Sequence, residues 1–419
     1  MSLKNSFGFL LMLLYVAFLG GCSTEGLLTE RYEPDFYRVP RLLPEGPISK
    51  NPTFIVYGDT QPGWRVYHKF VKRENWWTWK MLMSPFYEVC WLGNGVVGAV
   101  NLARQMPDYG KETRKMMRDA VYAESTRGAV DFILNTGDMV GHNGRRPDHW
   151  ALFLRENKHD HPLLNEIPYL PTIGNHERAN DRTYGKPNYE AVFQYPPFYT
   201  LEFLDVALFV LDTNLIMDGK QEIENSLQDD LFEKWFVSSD PSRPAWLEQE
   251  LAGCNKPFKV MSMHHPLFSF GHHWKDWMNP ALGRKVPQKR RRLLRLLQTH
   301  GVQAVFSGHD HIYQHNVLRN PTEGNPGVEE IHFIVSSGGG VPLRDPKSAK
   351  EIEHIQQYYL EAAFEVKPLM QVKVFHYCLV HVDFSEMRIQ TFVVARDADE
   401  NHRLLEEIII PNPVVEHRL

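Results

Sequence analysis

The stretch Gln303-Ala304-Val305-Phe306-Ser307-Gly308-His309-Asp310-His311 runs from an apolar segment through a glycine into alternating histidines. Four other short blocks also contain residues that bind metals or transfer protons: Gly58-Asp59-Thr60-Gln61, Gly137-Asp138, Gly174-Asn175-His176-Glu177 and His264-His265-Pro266. Four of the five blocks directly follow an apolar, strand-like run. Active groups in α/β folds lie on loops just past the carboxyl ends of strands, and glycine lets the backbone turn sharply there. We therefore expect the five blocks to meet at one edge of the fold.

The rest of the chain follows a strand and helix pattern that supports this expectation. Apolar or β-branched runs predict strands at 53–57, 130–135, 167–173, 206–211, 258–263, 303–306 and 331–336. Helical spacing near 111–123 and around 293–297 predicts crossover helices, and alternation in 372–384 and 387–395 predicts antiparallel strands. The fold class is therefore α/β, with two packed mixed β-sheets flanked by helices.

Carboxylate, amide and imidazole side chains in this order point to a site for two metal ions. A carboxylate can bridge two cations, and neutral histidine and amide ligands fill other positions without cancelling the metal charge. Each block alone has an ordinary explanation, because an aspartate after glycine is usually a turn or helix cap. The ordered set of five indicates hydrolysis of a phosphoester.

Composition argues against a nucleic-acid partner and indicates how the chain is divided into segments. The 419 residues carry 23% charged residues and a net charge of −5, so a specific nucleic-acid partner is not expected. We expect a signal segment at 1–22, a Pro-rich tether at 23–50 and the main domain at 51–411. An aromatic-rich insert at 64–108 is either an extra core segment or an aromatic lid or membrane-facing patch.

The N-terminus predicts export. Lys4 precedes an apolar run at 7–18, which is long enough for a signal peptide and too short to span a bilayer. Leu19-Gly20-Gly21-Cys22 resembles a bacterial lipobox, which implies a lipid-anchored Cys22; a plain secretory signal or a short membrane anchor is the alternative. The expected location is the bacterial cell envelope, extracytoplasmic, at the outer membrane if the host is Gram-negative.

Two further patterns leave alternatives open. Lys289-Arg290-Arg291-Arg292 can bind phosphate or nucleic acid, but it opens an amphipathic helix, so a solvated face is favoured. Cys90, Cys254 and Cys378 form no disulfide framework, although one bridge or buried free thiols are both compatible with their spacing.

The blocks resemble the calcineurin-like metallophosphoesterase superfamily over roughly 51–395, closest to its purple acid phosphatase-like branch. That branch is indicated by Gly308-His309-Asp310-His311-Ile312-Tyr313, by Met263-His264-His265-Pro266-Leu267-Phe268 and by the glycine triplet at 338–340. The resemblance implies the αββα sandwich of that superfamily. It also implies two metal ions, which are Fe, Mn or Zn because a mixed nitrogen and oxygen ligand set suits all three.

Roles follow from the resemblance position by position. The implied ligands are Asp59 and His311 for the first metal, Asn175, His264 and His309 for the second, and Asp138 as the bridge between them. His176 is not implied as a ligand; it contacts the phosphoryl group or protonates the leaving oxygen.

This sequence departs from the family pattern near the first metal. Gln61 stands where the superfamily often has histidine, and either Gln61, which we favour, His142 or a water completes the ligand shell. Gly141 stands where the coloured phosphatases place a tyrosine, so a colourless protein is expected. Arg178 and Tyr313 follow two of the blocks and are candidate substrate-binding residues.

The function expected from this reasoning is a phosphatase in which metal-bound hydroxide attacks phosphorus. Its substrate is a small-molecule or envelope phosphoester, and the lipid anchor makes the membrane its other partner. A phosphodiesterase of the same fold is the close alternative. A non-catalytic, metal-binding surface lipoprotein is the second alternative, and Gln61 in place of histidine is the feature that favours it.

Overall fold

The apolar runs of the described residues form strands. The computed structural model describes residues 25–43, 48–62, 110–128, 130–141, 144–178, 183–217, 231–278, 286–319, 330–361, 364–396 and 401–413. The strands are β1 Thr53–Tyr57, β2 Phe132–Asn135, β3 Tyr169–Pro171, β4 Tyr199–Glu202, β5 Val206–Leu211, β6 Phe258–Met263, β7 Ala304–Ser307, β8 Tyr313–Arg319, β9 Glu330–Ser336, β10 Val366–Val372, β11 Phe375–Val382, β12 Glu386–Val394 and β13 Leu404–Pro411. The longer helices are α1 Lys111–Arg127, α2 Pro147–Leu154, α3 Gly185–Phe193, α4 Trp246–Gly253, α5 Val286–Thr299 and α6 Ala349–Glu361. Short helical turns occur at Leu28–Glu30, Pro34–Tyr37, Arg155–His159, Leu163–Glu166, Asn175–Arg178, Asn214–Met217 and Asp276–Met278.

The strands form two mixed sheets. In the described residues, one sheet has the order β13-β12-β11-β1-β2-β3 and the other has the order β10-β8-β9-β7-β6-β5-β4. Strands β1, β2 and β3 are parallel in the first sheet, and β5, β6, β7 and β9 are parallel in the second. Antiparallel strands complete both sheets. The expected α/β class with two mixed sheets flanked by helices is confirmed.

Strands in the middle of the second sheet are buried on both faces. Leu208 and Val210 of β5 belong to the core that this sheet shares with β1 and β2. Phe209 and Leu211 point to the other side and join a second core, which includes residues of α4, α5 and α6. Parallel strands covered on both faces read as continuous apolar runs, which is why the sequence pattern located β5 and β6 to the residue.

The N-terminal segment differs from the expected tether at 23–50. Its described part packs on the domain, with Leu28, Tyr37 and Val39 all buried. The Val39 amide donates a hydrogen bond to the Val192 carbonyl oxygen at 2.8 Å. Polar and proline-rich composition predicted a tether because these three apolar side chains are too sparse to form a periodic pattern.

Two basic residues of the 289–292 run, Lys289 and Arg290, are buried and not solvated as expected. The Arg290 side chain is fully buried, and its guanidinium carbon lies 4.1 Å from the Phe268 ring centroid. It lies 4.8 Å from the Tyr359 centroid and 4.7 Å from the Phe364 centroid. Three aromatic faces therefore surround this cation, and cation–π attraction offsets part of its desolvation. The expectation of a solvated face is wrong for Lys289 and Arg290.

Other expectations concern residues that are only partly described. The signal segment with Cys22 and nearly all of the 64–108 insert with Cys90 lie outside the described residues. Within the described ranges, no helix combines the length and apolar character that crossing a membrane requires. Cys254 and Cys378 are both free thiols.

Asn188 connects the N-terminal segment to the domain and allows a test of that packing. Its side-chain oxygen accepts a hydrogen bond from the Leu28 amide at 2.8 Å. Its amide nitrogen donates to the carbonyl oxygens of Gly26 and Gly144, both at 3.0 Å. We expect Asn188→Ala to lower the free energy of unfolding by about 2–3 kcal/mol, because buried backbone groups lose their partners. Urea denaturation monitored by fluorescence measures the change.

Asn165→Ala is the matched control. Asn165 is exposed, and its side chain donates a single hydrogen bond to the Lys158 carbonyl oxygen. We expect this change to lower the free energy of unfolding by less than about 1 kcal/mol. Equal losses in the two variants would show that the N-terminal segment contributes nothing specific.

Candidate metal centre

The five sequence blocks meet at one edge of the two sheets. Asp59 follows β1, Asp138 follows β2, His264 follows β6 and the His309 block follows β7. Parallel strands end at the same edge, so their following loops lie side by side. Beside a group formed by His273, Asp276 and His309, two groups made only of block residues have ligand atoms within 4.8 Å of one another: Asp138, His264 and His309 in one, and Asp59, Asp138 and His311 in the other. Asp138 belongs to both groups.

The backbone at these residues is unusual. Positive φ angles occur at five residues of the blocks: Asp59 at 59°, Gln61 at 40°, Asp138 at 55°, His309 at 75° and His311 at 53°. This left-handed region costs an L-residue on the order of 1–2 kcal/mol and is maintained where the surroundings determine it. Gly137 has φ of 101°, and a Cβ there would lie 2.5 Å from the His264 Nδ1. The tight turns bring the side chains back over the strand ends.

The His264 ring has a defined tautomer. Its Nδ1 lies 2.8 Å from the Thr136 carbonyl oxygen, which only accepts, so Nδ1 carries the proton. The Nε2 atom therefore faces the cluster. It lies 2.9 Å from the Asn175 Oδ1 and 3.3 Å from the Asp138 Oδ2. Both of these atoms are also electron-pair donors.

The His309 ring is oriented by a similar hydrogen bond, but the roles of Nδ1 and Nε2 are exchanged relative to His264. Its Nε2 donates to the Asp276 carboxylate at 2.9 Å, which leaves the lone pair on Nδ1. This Nδ1 lies 3.2 Å from the Nε2 of His264. Two imidazole nitrogens, an amide oxygen and a carboxylate oxygen thus converge on a space that holds either the second proton of His264 or a cation. This is the donor set that a cation requires, so the residues fit a metal ion.

The second group of ligand atoms includes an amide with an unused oxygen. The Gln61 Nε2 donates to the Asp138 Oδ2 at 2.7 Å and lies 3.4 Å from the His311 Nε2. The Gln61 Oε1 is buried and has no hydrogen-bond partner among the described residues. A half-turn of the amide brings this oxygen to the same point, where it can serve as a ligand. The His311 Nε2 lies 3.6 Å from the Asp59 Oδ1, so these residues also fit a cation.

The charges at the centre favour a positive occupant. Burial raises the pKa of Asp59 well above its usual value. Burial, followed by the charge of Asp138, raises the pKa of Glu177 to about 7. Burial alone would lower the pKa of His264, but the Asp138 and Asp59 carboxylates outweigh it and raise this pKa to about 9. Without a metal the cluster thus retains a proton on an imidazole, and a bound metal ion displaces such a proton.

Glu177 is part of the third block, but sequence reasoning gave it no role. Its carboxylate is completely buried and accepts hydrogen bonds from the backbone amides of Asp138 and Gly174, both at 2.8 Å. It also accepts one from the Val140 amide at 2.9 Å. Glu177 therefore holds the second and third blocks together. Its place directly after His176 in the block was the signal that could have identified it.

Two further acidic residues support the histidines. The Asp276 Oδ2 accepts from the Nδ1 of His273 at 3.0 Å as well as from His309. Asp310 accepts from the His273 amide and from the Gln314 side chain, both at 2.8 Å. Asp310 lies inside the fifth block, whereas nothing in the sequence around Asp276 points to the site.

His176 lies at the edge of the cluster. Its amide donates to the Asp138 Oδ1 at 3.0 Å, and its Nδ1 donates to the Gly141 carbonyl oxygen. The Nε2 lies 3.7 Å from the Asp138 Oδ2, and 16% of the side chain is exposed. This position lets the ring reach both the cluster and solvent.

The two expected substrate-binding residues are not brought to the cluster. The Arg178 guanidinium forms a buried ion pair with Asp212. The Tyr313 hydroxyl donates to the Glu406 carboxylate at 2.6 Å, and the ring is fully buried in the core between the sheets. These positions do not support the expected phosphate contacts.

Asp276 provides a test of the centre that changes no proposed ligand. We expect Asp276→Ala to weaken metal binding about 10–100-fold, because His309 loses the carboxylate that fixes its tautomer and orientation. Competitive titration against a metal chelator measures the affinity. Asp345→Ala is the control, since the Asp345 side chain is 85% exposed and pairs with Lys373. Unchanged affinity in Asp276→Ala would contradict the orienting role.

Comparisons with known proteins identify the family. The sequence pattern of the family described as calcineurin-like phosphoesterase matches residues 52–313. Tartrate-resistant acid phosphatase type 5 of Sus scrofa is 27% identical over 261 residues, which are 57% of this chain and 66% of that protein. The Homo sapiens protein of the same name is 26% identical over 208 residues, covering 44% of this chain and 57% of that protein. The chain thus matches between about half and two thirds of the length of these relatives.

A solved structure shows the same fold. Purple acid phosphatase PPD1 from yellow lupin (Lupinus luteus) seeds superposes with a TM-score of 0.52 at 13% identity, covering 87% of this chain and 54% of that one. At this identity the likeness concerns the fold alone. The family pattern covers more than half of the chain and contains the strand-end blocks from Asp59 to His311, and we conclude that this chain belongs to the calcineurin-like phosphoesterase family.

Proposed function

We propose that this chain is a phosphatase that uses two metal ions to hydrolyse phosphoesters. One observation carries the proposal: the Asp138 carboxylate is shared by two groups of ligand atoms, each compact enough for one cation. A shared carboxylate is the feature that distinguishes a two-metal site from two separate sites. The acid phosphatase relatives favour the same chemistry.

The described residues divide into two ligand sets. Asp59, Gln61 and His311 would hold one ion together with Asp138, and Asn175, His264 and His309 would hold the other with the same carboxylate. Nitrogen and oxygen donors of this kind suit Fe, Mn and Zn. Two divalent ions at such a site activate a water molecule as the nucleophile and neutralise charge on the phosphoryl oxygens.

His176 is suited to act on the substrate. The hydrogen bond from its Nδ1 to the Gly141 carbonyl oxygen fixes the ring, so that Nε2 faces the Asp138 side of the cluster. The ring is partly exposed, unlike the His264 ring. We assign it to contact the phosphoryl group or to protonate the leaving oxygen, as a general acid does.

Two substitutions separate metal binding from proton transfer. We expect Asp138→Asn to abolish metal loading and to lower turnover more than about 1,000-fold, because both ligand sets lose their shared carboxylate. We expect His176→Ala to retain both metals and to lower kcat about 100-fold, with larger losses for poorer leaving groups. Elemental analysis and a series of aryl phosphates measure these effects. Full turnover in Asp138→Asn, or metal loss in His176→Ala, would contradict the assignments.

A non-catalytic metal-binding protein is the second candidate, because Gln61 donates more weakly than the histidine it replaces. A panel of chromogenic phosphomonoesters and phosphodiesters, assayed with added Mn and Fe, separates the candidates. Robust turnover excludes the binding-only function, and the ratio of the two ester types distinguishes a phosphatase from a phosphodiesterase.

We also propose that the protein is anchored in the bacterial cell envelope through lipid on Cys22. Support comes from the lipobox-like sequence Leu19-Gly20-Gly21-Cys22 after an apolar run. Acyl chains contribute roughly 0.8 kcal/mol per buried methylene, so a multiply acylated cysteine anchors firmly. An envelope phosphoester is then an accessible substrate.

Replacement of the acylated cysteine tests this location. We expect Cys22→Ser to move the protein from the membrane fraction to the soluble fraction and to abolish acyl labelling. Cys254→Ser is the matched control and should leave both unchanged, because Cys254 is a free thiol of the folded domain. Retention of Cys22→Ser in the membrane fraction would reject the lipid anchor.

A further inference from the structure

Arg344 lies on a segment that is fastened to two blocks of the metal centre. The segment follows β9 and the glycine triplet at 338–340. The Val341 amide donates to the Asp59 carbonyl oxygen at 3.2 Å, and the Arg344 amide donates to the His311 carbonyl oxygen at 3.0 Å. The backbone of Arg344 is therefore held in place by residues that would bind the first metal.

The Arg344 guanidinium lies near the cluster and keeps a buried hydrogen-bond donor unused. Its Nη1 is buried and has no hydrogen-bond partner among the described residues. Burial lowers the pKa of this guanidinium, and the carboxylates of Asp310, Asp59, Asp276 and Asp138 oppose that shift, in decreasing order. In turn, this guanidinium is the largest charge acting on the His311 ring. A cation with a buried N–H to donate thus lies beside the carboxylates of the candidate metal centre.

Structural explanations do not account for this arrangement. Asp310 does not need Arg344, because its carboxylate accepts from the His273 amide, the Gln314 side chain and the Ser269 hydroxyl. The adjacent Asp345 is turned outward to Lys373 at 2.6 Å. A buried donor without a partner is disfavoured unless something binds to it.

Arg178 and Arg145, by contrast with Arg344, have acidic partners. Sequence reasoning expected it to contact phosphate, yet its guanidinium is engaged by Asp212 inside the domain. Arg145 pairs with Glu25 at 3.1 Å. Arg344 differs from both, because its Nη1 is buried and has no hydrogen-bond partner among the described residues.

We propose that Arg344 binds two non-bridging oxygens of the substrate phosphoryl group and selects phosphomonoesters over phosphodiesters. The planar guanidinium offers two parallel N–H donors that match two phosphoryl oxygens. A monoester dianion presents three such oxygens and two charges, whereas a diester presents two oxygens and one charge. The low dielectric of a mostly buried site strengthens the attraction to the dianion. This inference rests on the proposed function and specifies its substrate class.

The test compares Arg344→Gln and Arg344→Lys with the unmodified, metal-loaded protein. The substrates are p-nitrophenyl phosphate and bis(p-nitrophenyl) phosphate, and inorganic phosphate serves as the binding probe. For Arg344→Gln we expect kcat/KM for the monoester to fall about 100–1,000-fold and the diester to fall less than about tenfold. The dissociation constant of inorganic phosphate should rise at least about tenfold, while metal content stays constant. Arg344→Lys should give intermediate values, because lysine keeps the positive charge but lacks the two parallel N–H donors.

Arg319→Gln is the matched control for loss of one positive charge, since the Arg319 side chain is 70% exposed. It should leave both esters and phosphate binding unchanged within about twofold. Equal losses for the two esters, unchanged kinetics, or loss of metal in Arg344→Gln would each overturn the inference.

The measurement of phosphate binding tests this inference separately from the proposed function. If the unmodified protein hydrolyses neither ester, the proposed function fails. Phosphate binding then still decides the role of Arg344: weaker binding in Arg344→Gln supports it, and equal binding rejects it.

Discussion

Electron-pair donors converge in a buried space at this centre, and they repel one another unless a positive charge lies between them. The His264 Nε2 faces the His309 Nδ1 at 3.2 Å and the Asn175 oxygen at 2.9 Å, while the nearby carboxylates are shielded from water. Burying uncompensated charge is unfavourable by several kcal/mol. A cation that binds here therefore stabilises the folded chain as well as creating the reactive site.

The packing of the two sheets determines the shape of this space. Asp59 and Asp138 come from one sheet, whereas His264 and His309 come from the other. Just beneath them, hydroxyl groups connect the two layers. The Thr136 hydroxyl donates to the Ser336 carbonyl oxygen at 2.9 Å, and the Thr172 and Ser262 hydroxyls lie 2.6 Å apart. A change in the packing between the sheets would thus alter the separation of the two halves of the ligand set.

The sequence predicted the strand-end residues well, because two local properties combine there. An unbroken apolar or β-branched run identifies a buried strand, and a glycine followed by a polar residue identifies its end, so the positions of Asp59, Asp138 and His309 could be predicted from the sequence. These properties also imply a common edge, and the ligand atoms of these residues do come together. Their roles as ligands rest on the proposed function.

The direction of a side chain and its contacts with distant segments of the chain could not be predicted in this way. Arg178 follows the third block directly, but its side chain turns into the domain toward Asp212. Arg344 approaches from a separate segment, and no spacing rule connects it to His311. Arg290 was expected in solvent because a helix pattern shows the face of a residue but not the aromatic rings that cover it.

The left-handed backbone at the centre has a consequence for how such a chain can change over generations. Asp59, Gln61, Asp138, His309 and His311 all combine a strained conformation with a side chain that we propose as a metal ligand. Glycine or asparagine at these positions would relieve the backbone strain, and glycine would also remove the repulsion among the buried electron-pair donors. A descendant released from selection for catalysis should therefore drift toward glycine at these five positions first, gaining robustness as it loses activity.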